Sequence, residues 1–395
     1  MNVILATDAI VAPLTGIGRY AYELALRLPE HPSIQQTRFF SFGRWLTKED
    51  LAGFTEASTQ IAGAAAAPKL SLRSRLASNR LAVRLYQTLT PPLFGWRLRH
   101  EANALFHSPN YFLPPFPGRS VATIHDLSHV SFPQFHPAAR VDYLERALPD
   151  TLRLASFLIT DAESVRQEVI LHFGWPADRI AAVPLGVDPV FHPRSATDLS
   201  PVLRRYGLSA GGYTLCVGTI EPRKNLSRLL SAYETLPMSI RHRWPLVLVG
   251  PRGWQSEDIH KKIEKAISAG WVRYLDFVAQ NDLPFLYAGA RLFAYPSLYE
   301  GFGLPPLEAM ASGVPVITSN ISSLPEVVGS AAMLIDPYDV SALSVALAVG
   351  LEDEGWRLSA TALGLKRASD LTWERCIDKT VSIYERVMHG IPGAR

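Results

Sequence analysis

Twice along this chain, short apolar runs alternate with amphipathic segments, and a Pro- and Ser-punctuated stretch from Val187 to Ser200 separates the two series. The first series has strand-like runs at Asn2–Asp8, Thr37–Ser41, Ala104–His107, Val121–His125, Phe157–Thr160 and Ile180–Val183. Apolar residues recur at helical spacing between them in Ile17–Leu28, Ala139–Leu154 and Ser164–Phe173. The second has strands at Thr214–Val217, Leu246–Val249, Leu292–Ala294, Val314–Thr318 and Ala332–Ile335, with helices at Leu226–Leu236, Glu257–Ala266 and Pro306–Ala311. Strands that alternate with helices predict parallel sheets covered on both faces. The length, 395 residues, exceeds what one core usually organises. The expected class is therefore α/β, with two doubly wound Rossmann-like domains over 1–190 and 191–372 and a closing amphipathic helix, Trp373–Met388, in 373–395.

Composition narrows the function classes. The chain is 48% hydrophobic and 19% charged, with glycines and prolines spread between periodic segments, which excludes fibrous, coiled-coil and extensively disordered chains. Cys216 and Cys376 cannot build a disulfide framework and lack zinc-ligand spacing, so a reducing, cytoplasmic setting is expected. Met1–Ile10 has neither a basic n-region nor an apolar h-region, and no apolar run approaches the roughly 18 residues of a membrane span. A net charge of +3 is too small for a general nucleic-acid reader, and no nucleic-acid partner is expected. The charge is unevenly placed. Between Ser58 and His100 there is no Asp or Glu, while Lys69, Arg73, Arg75, Arg80, Arg84, Arg97 and Arg99 interleave with leucines and precede or flank Trp96. Such a segment suits an anionic membrane surface, or else forms a solvated helix face.

Four motifs carry chemistry. Thr15-Gly16-Ile17-Gly18-Arg19-Tyr20 feeds the first helix, where glycines let backbone approach a phosphate. A nicotinamide site would want an acid after the second strand, but Ser41-Phe42-Gly43-Arg44 offers none, although Arg44 could suit a 2′-phosphate. Gly218-Thr219-Ile220-Glu221-Pro222-Arg223-Lys224-Asn225 follows a strand and opens a helix. There a planar guanidinium and a point charge together suit a diphosphate. Glu300-Gly301-Phe302-Gly303-Leu304-Pro305-Pro306-Leu307-Glu308 places two carboxylates across a bend and a helix start, with Glu308 expected in the first turn. In Thr123-Ile124-His125-Asp126, a histidine ends an apolar strand and Asp126 is the expected holder of its tautomer. His129 and His136 lie nearby without metal-ligand spacing, and there is no Asp-x-Asp, so no metal is expected.

Together these residues resemble the retaining glycosyltransferases of family 4, which have the GT-B fold, with Glu300 to Glu308 matching the family's E-x7-E signature. The resemblance runs nearly end to end. It implies two Rossmann-like domains facing a cleft, an acceptor-binding N-terminal one, a sugar-nucleotide-binding C-terminal one, and a last helix that packs back on the first. It implies that Glu308 binds ribose hydroxyls and Glu300 donor-sugar hydroxyls. Arg223 and Lys224 would take the diphosphate beside Gly16, and His125 would stand near the reacting centre. Backbone at Phe302, Gly303 and Leu304 would meet sugar or phosphate, with the base near Val278. The wording around Ala6–Asp8, Pro13–Tyr20 and Glu221–Asn225 is similar to bacterial mannosyl- and rhamnosyltransferases of O-antigen and exopolysaccharide (surface lipopolysaccharide) synthesis. That implies GDP-mannose or GDP-D-rhamnose as donor, a glycan or lipid-linked saccharide as acceptor, and no cofactor. An acceptor on a lipid carrier would sit at an anionic membrane surface, so the basic segment 69–100 is expected to attach the protein peripherally to the inner face of the cytoplasmic membrane. Two alternatives stay open: a UDP-sugar-dependent family 4 transferase, and a dinucleotide-dependent oxidoreductase using Gly16–Gly18.

Overall fold

The computed structural model describes residues 1–11, 14, 16–51 and 92–390. Lys69, Arg73, Arg75, Arg80, Arg84 and the leucines among them lie outside these residues, as do Ala12, Pro13 and Thr15. The chain divides into two compact units, Met1–Leu185 with Trp373–Arg395, and Gly186–Thr372.

Among the described residues, unit 1 is built on a seven-stranded sheet. Its strands are β1 (Asn2–Ala6), β2 (Gln36–Ser41), β3 (Arg44–Leu46), β4 (Leu105–Ser108), β5 (Arg119–Ile124), β6 (Phe157–Thr160) and β7 (Ile180–Ala182), in the order β3-β2-β1-β4-β5-β6-β7. All neighbours run parallel except β2 and β3. That hairpin turns on Phe42 and Gly43, both left-handed at φ 45° and 77°, as a two-residue turn between twisted strands requires. The chain after β2 thus doubles back where a dinucleotide reader would offer its acid. Strands β4 and β6 are buried along their whole length, which is why they read as unbroken apolar runs.

The helix Trp373–Met388 belongs to unit 1. It buries Trp373, Cys376, Ile377, Thr380, Val381, Tyr384 and Val387, a stripe at helical spacing. The Tyr384 hydroxyl bonds His107 Nδ1 at 2.5 Å, His107 Nε2 meets Thr123 Oγ1 at 2.9 Å, and Tyr20 reaches the same hydroxyl at 3.1 Å. A buried polar chain therefore ties the last helix to β4, β5 and the first helix, Gly16–Arg27.

Unit 2 holds β8 (Thr214–Val217), β9 (Leu246–Val249), β10 (Val272–Leu275), β11 (Leu292–Tyr295), β12 (Val316–Ser319) and β13 (Ala332–Ile335). Their order, β10-β9-β8-β11-β12-β13, is all parallel and reverses direction between β8 and β11. In such sheets ligands bind beyond the strand carboxyl ends at that reversal. The parallel α/β architecture expected from the sequence is present in both units.

Local differences have local reasons. Strand β10 is absent from the expected strands because it is a four-residue edge whose Arg273 is exposed and breaks the apolar run. The helix Ala196–Arg205 starts inside the expected connecting stretch Val187–Ser200. Its Ser195 cap accepts from Asp198 N at 3.2 Å, so the Ser and Asp that read as loop are a helix start.

Candidate active site

The carboxyl ends of β8 and β11 bring together residues more than seventy positions apart. After β8, Pro222–Lys224 forms a single 3-10 turn, and Asn225 ends it in the left-handed region at φ 59°. Buried Asn225 donates through Nδ2 to the carbonyls of Pro296 and Pro337 at 3.0 and 2.7 Å. This locks the turn against the loops that follow β11 and β13, and it aims Arg223 and Lys224 at Glu300.

Glu300 accepts on both oxygens. Lys224 Nζ, Tyr295 OH and Ser297 Oγ donate to Oε1 at 2.7, 2.9 and 2.6 Å, and Arg223 donates to Oε2 at 2.9 Å. Arg223 also donates to Glu221 Oε1 at 2.8 Å and to the Tyr299 carbonyl at 2.7 Å, and Lys224 to the Tyr295 hydroxyl at 2.6 Å. Burial alone would lift the Glu300 carboxyl, but the Arg223 and Lys224 charges hold it down at about 2. Burial, and then the Arg223 charge, lower the Lys224 ammonium from its ordinary value, with Glu300 and Glu221 opposing. Burial, then the Glu300 charge, push the Tyr295 phenol well up, so it stays a neutral donor. Two cations and two carboxylates therefore share one nearly dry cluster. A diphosphate would have to compete with Glu300 and Glu221 for these N–H groups.

The Glu300–Gly303 bend is pinned from the loop after β12. The Ser322 hydroxyl donates to the Glu300 carbonyl at 2.6 Å and accepts its N–H at 3.1 Å, while Ser323 Oγ lies 2.7 Å from the Phe302 carbonyl. Gly303, at φ 114°, caps the helix Leu304–Ala311, and any Cβ there would come within 2.8 Å of Leu324. Glu308 is the fifth residue of this helix and not in its first turn, contrary to expectation, because the helix begins at Leu304 ahead of both prolines. The helix dipole therefore gives no account of it. Its carboxylate faces the buried Tyr287 hydroxyl, and burial followed by the Glu308 charge pushes that phenol well up.

Val278 lies half-buried in the loop beyond β10, at the same edge of the sheet. Asp282 after it is fixed by Arg205 and Tyr206, each at 2.7 Å. The structure thus brings Arg223, Lys224 and Glu300 into direct contact, with Phe302, Gly303 and Leu304 on the bend and helix start that follow; Glu308 lies further along that helix, and Val278 on the loop after the edge strand β10.

In unit 1, Gly16 and Gly18 lie in the first turn of Gly16–Arg27, and a Cβ on Gly18 would come within 2.8 Å of the Ala9 carbonyl. Close packing of the helix on the turn after β1 thus accounts for Gly18. His125 ends β5, 5% exposed. Its Nδ1 partner is Asp161 at 2.7 Å and not the expected Asp126. Asp126 turns the other way and accepts from Ser128 N and Oγ at 2.9 and 2.7 Å, as its adjacency in sequence favours. Glu221, Tyr295, Ser297 and Asp161 are site residues that sequence reading missed. Three of them lie within a few positions of the residues they bond: Glu221 two from Arg223, and Ser297 and Tyr295 three and five from Glu300; Asp161 has no such neighbour. Among the described residues no group of three or more His, Cys, Asp or Glu could hold a metal ion, and no helix is long and apolar enough to cross a membrane.

Residues 209–364 match the family described as glycosyl transferases group 1. O-antigen chain mannosyltransferase B of Escherichia coli is 42% identical over 389 residues, which cover 98% of this chain and 100% of that one. The Escherichia coli serotype-specific mannosyltransferase WbdA is 33% identical over 247 residues, 60% of this chain and 30% of that longer protein. Among solved structures, Anabaena HepE in complex with UDP-glucose superposes with a TM-score of 0.72 at 16% identity, over 98% of this chain and 99% of that one. WaaG, a glycosyltransferase involved in lipopolysaccharide biosynthesis, gives 0.64 at 16% identity over 97% and 99%. At such identities the likeness speaks for the fold.

Proposed function

Because the chain belongs to the group 1 glycosyl transferases and has their GT-B fold of two Rossmann-like units, we propose that this glycosyltransferase moves mannose from GDP-mannose onto a glycan or lipid-linked saccharide in O-antigen synthesis, with retention of configuration. The observation that carries the reading is the 42% identity to O-antigen chain mannosyltransferase B along the full length of both chains.

The cluster in unit 2 supplies the chemistry. As the bond to the donor sugar breaks, negative charge grows on the departing diphosphate, and Arg223 and Lys224 stand ready to neutralise it from a dry, preorganised setting. Glu300, held ionised by the same two cations, offers acceptor oxygens to donor-sugar hydroxyls once a phosphate takes their N–H groups. Glu308 takes the ribose and the loop at Val278 the base. The acceptor hydroxyl enters on the face that the diphosphate leaves, and a diphosphate oxygen receives its proton. No side chain forms a bond to the sugar, so positioning and charge do the catalysis.

The donor is tested by thermal shift against GDP, UDP, ADP, TDP and their mannose, rhamnose and glucose derivatives. A ligand at 100 times its Kd stabilises by about 2.7 kcal/mol. GDP and GDP-mannose are expected to raise the Tm of the wild type and not of Glu308→Ala or Arg223→Ala. A response to GDP-D-rhamnose alone, or to UDP sugars alone, would replace the donor. No response to any nucleotide would remove the donor-site reading.

We also propose peripheral attachment of unit 1 to an anionic membrane. Leu93 and Trp96, on helical residues 92–98, are exposed, as are Phe42 and Trp45 of the β2–β3 hairpin, and Phe94 of that helix packs against Phe40 and Gly43 of the hairpin. Arg97 and Arg99 are exposed on the same stretch, and the Arg99 guanidinium stacks on Trp96 at 4.1 Å. Aromatic rings beside cations suit a headgroup layer. Flotation with phosphatidylglycerol vesicles is expected to carry the wild type and to lose Trp96→Ala/Arg99→Glu; equal flotation of both would overturn the attachment.

A further inference from the structure

Strands β5 and β6 pair in parallel with Ile124 opposite Thr160, so the next residues, His125 and Asp161, leave the sheet side by side. Both are buried, at 5% and 3% exposure. Asp161 Oδ2 meets His125 Nδ1 at 2.7 Å, and His125 Nε2 meets the Pro109 carbonyl at 2.7 Å. A carbonyl oxygen has only lone pairs to offer, so Nε2 carries a proton. The same ring then faces a carboxylate through its other nitrogen, which leaves His125 with no bare nitrogen while Asp161 is ionised.

The surroundings pull both ways on the pair: burial lifts the Asp161 carboxyl above its ordinary value, with Asp126 adding to the rise, while the charge and hydrogen bond of His125 hold it down. Asp126, the next residue on the chain, adds a second negative charge. His107 on neighbouring β4 is held neutral, its pKa driven down to about 3 by burial and then by His125, so it brings no competing cation. Around the ring, Tyr20 and Tyr111 have their ring centroids at 5.3 and 5.9 Å, and burial keeps both phenols neutral, as it does the Cys376 thiol that faces Asp161 from the last helix. Burial by itself would lower His125; Asp161 outweighs it and raises the ring above its ordinary value. Asp161 Oδ1 is buried with no hydrogen-bond donor among the described residues, so this carboxylate is committed to the histidine.

We propose that Asp161 is a positioning residue for sugar transfer: it keeps His125 doubly protonated and aimed along Nε2, so that His125 serves as an N–H donor and fixed positive charge and not as a base. The proposal rests on the transferase reading for its kinetic half only. A sugar oxygen would share the N–H that now meets Pro109. The same bond holds the Pro109–Leu113 loop, in which Tyr111 is left-handed at φ 54° and its hydroxyl bonds the backbone of Asp126.

The test uses the full chain with ¹⁵N-labelled histidine rings, His125 being assigned by loss of its signals in His125→Gln. In the wild type at pH 7 both His125 nitrogens are expected in the N–H range. In Asp161→Asn, Nδ1 is expected bare and Nε2 still protonated. Turnover of Asp161→Asn should fall roughly 10–100-fold, the scale for losing such an orienting partner, with KM for the sugar nucleotide nearly unchanged. Removing the anion lowers the His125 pKa, so the alkaline limb of kcat should move to lower pH, by about one unit or more. A purely structural role would lower Tm and leave that limb in place. A bare His125 nitrogen in the wild type at pH 7, or an unmoved limb in Asp161→Asn, overturns the proposal. If Asp161→Asn fails to fold, the wild-type spectra followed with pH decide alone. If no sugar nucleotide supports turnover, the transferase reading fails while the spectra still decide the dyad.

Discussion

Lys224 and Glu300 illustrate how little a charge means without its partners. On the sequence Lys224 is a cation at a helix mouth; in the structure its ammonium is divided between Glu300 and the Tyr295 hydroxyl. Replacing it should therefore do two separable things. Lys224→Ala is expected to lower kcat on the order of 10²-fold, the scale of losing one preorganised donor, measured under saturating donor. It should also raise the Glu300 pKa, because one of the two cations that depress it is gone. The sign of the stability effect follows. A carboxylate whose folded pKa of about 2 lies below its ordinary 4.5 stabilises the fold above 4.5, and that contribution is lost as pH falls toward 2. Acid unfolding of the wild type followed by circular dichroism should thus steepen between those values, and Glu300→Gln should remove that part of the pH dependence.

At the scale of elements, the site depends on two loops held in conformations that few residues adopt. Asn225 combines a left-handed backbone with two buried donations across to Pro296 and Pro337. Asn225→Ala leaves both carbonyls short of a donor and strains the turn, at a cost of about 2–4 kcal/mol. Asn225→Gly should recover the backbone part only, so the melting temperatures should rank wild type, Gly, Ala. Gly250, at φ 140°, lies so close to the Gly218 loop that a Cβ would sit 2.2 Å from the Gly218 carbonyl. Gly250→Ala should push that loop away from the cluster. Weakened binding of the nucleoside diphosphate in calorimetry is the expected outcome, and unchanged affinity would separate the Gly218 loop from the site.

For the whole molecule, the order of the chain and the order of the fold disagree. Unit 2 is one continuous stretch, Gly186–Thr372, whereas unit 1 is completed by Trp373–Met388 after the chain has made all of unit 2. A protein ending at Thr372 loses the buried Trp373 and Tyr384 side chains and leaves His107 without its Tyr384 partner. Its unit 1 is expected to melt early or not fold, while the isolated fragment 186–372 should fold and keep nucleotide-dependent stabilisation. Two calorimetric traces check this: no cooperative transition from the fragment would refute the independence of unit 2.

What was legible in the sequence, and what was not, divides along range. Strand and helix periodicity, the Arg223-Lys224 pair and the Glu300–Glu308 spacing are local properties, carried by residues a few positions apart, and the chain alone determined the parallel α/β class from them. The partners of those residues are a different matter. Which carboxylate holds His125 depends on β5 lying beside β6, and sequence adjacency pointed to Asp126 where strand pairing delivers Asp161. That Arg223 and Lys224 meet Glu300 depends on β8 lying beside β11. Parallel strands are neighbours only through long crossovers, so their pairing leaves no short-range trace in the chain. The sequence by itself determined the parallel α/β class and most of its elements; the tertiary structure alone decided which side chains meet, because that follows from strand order.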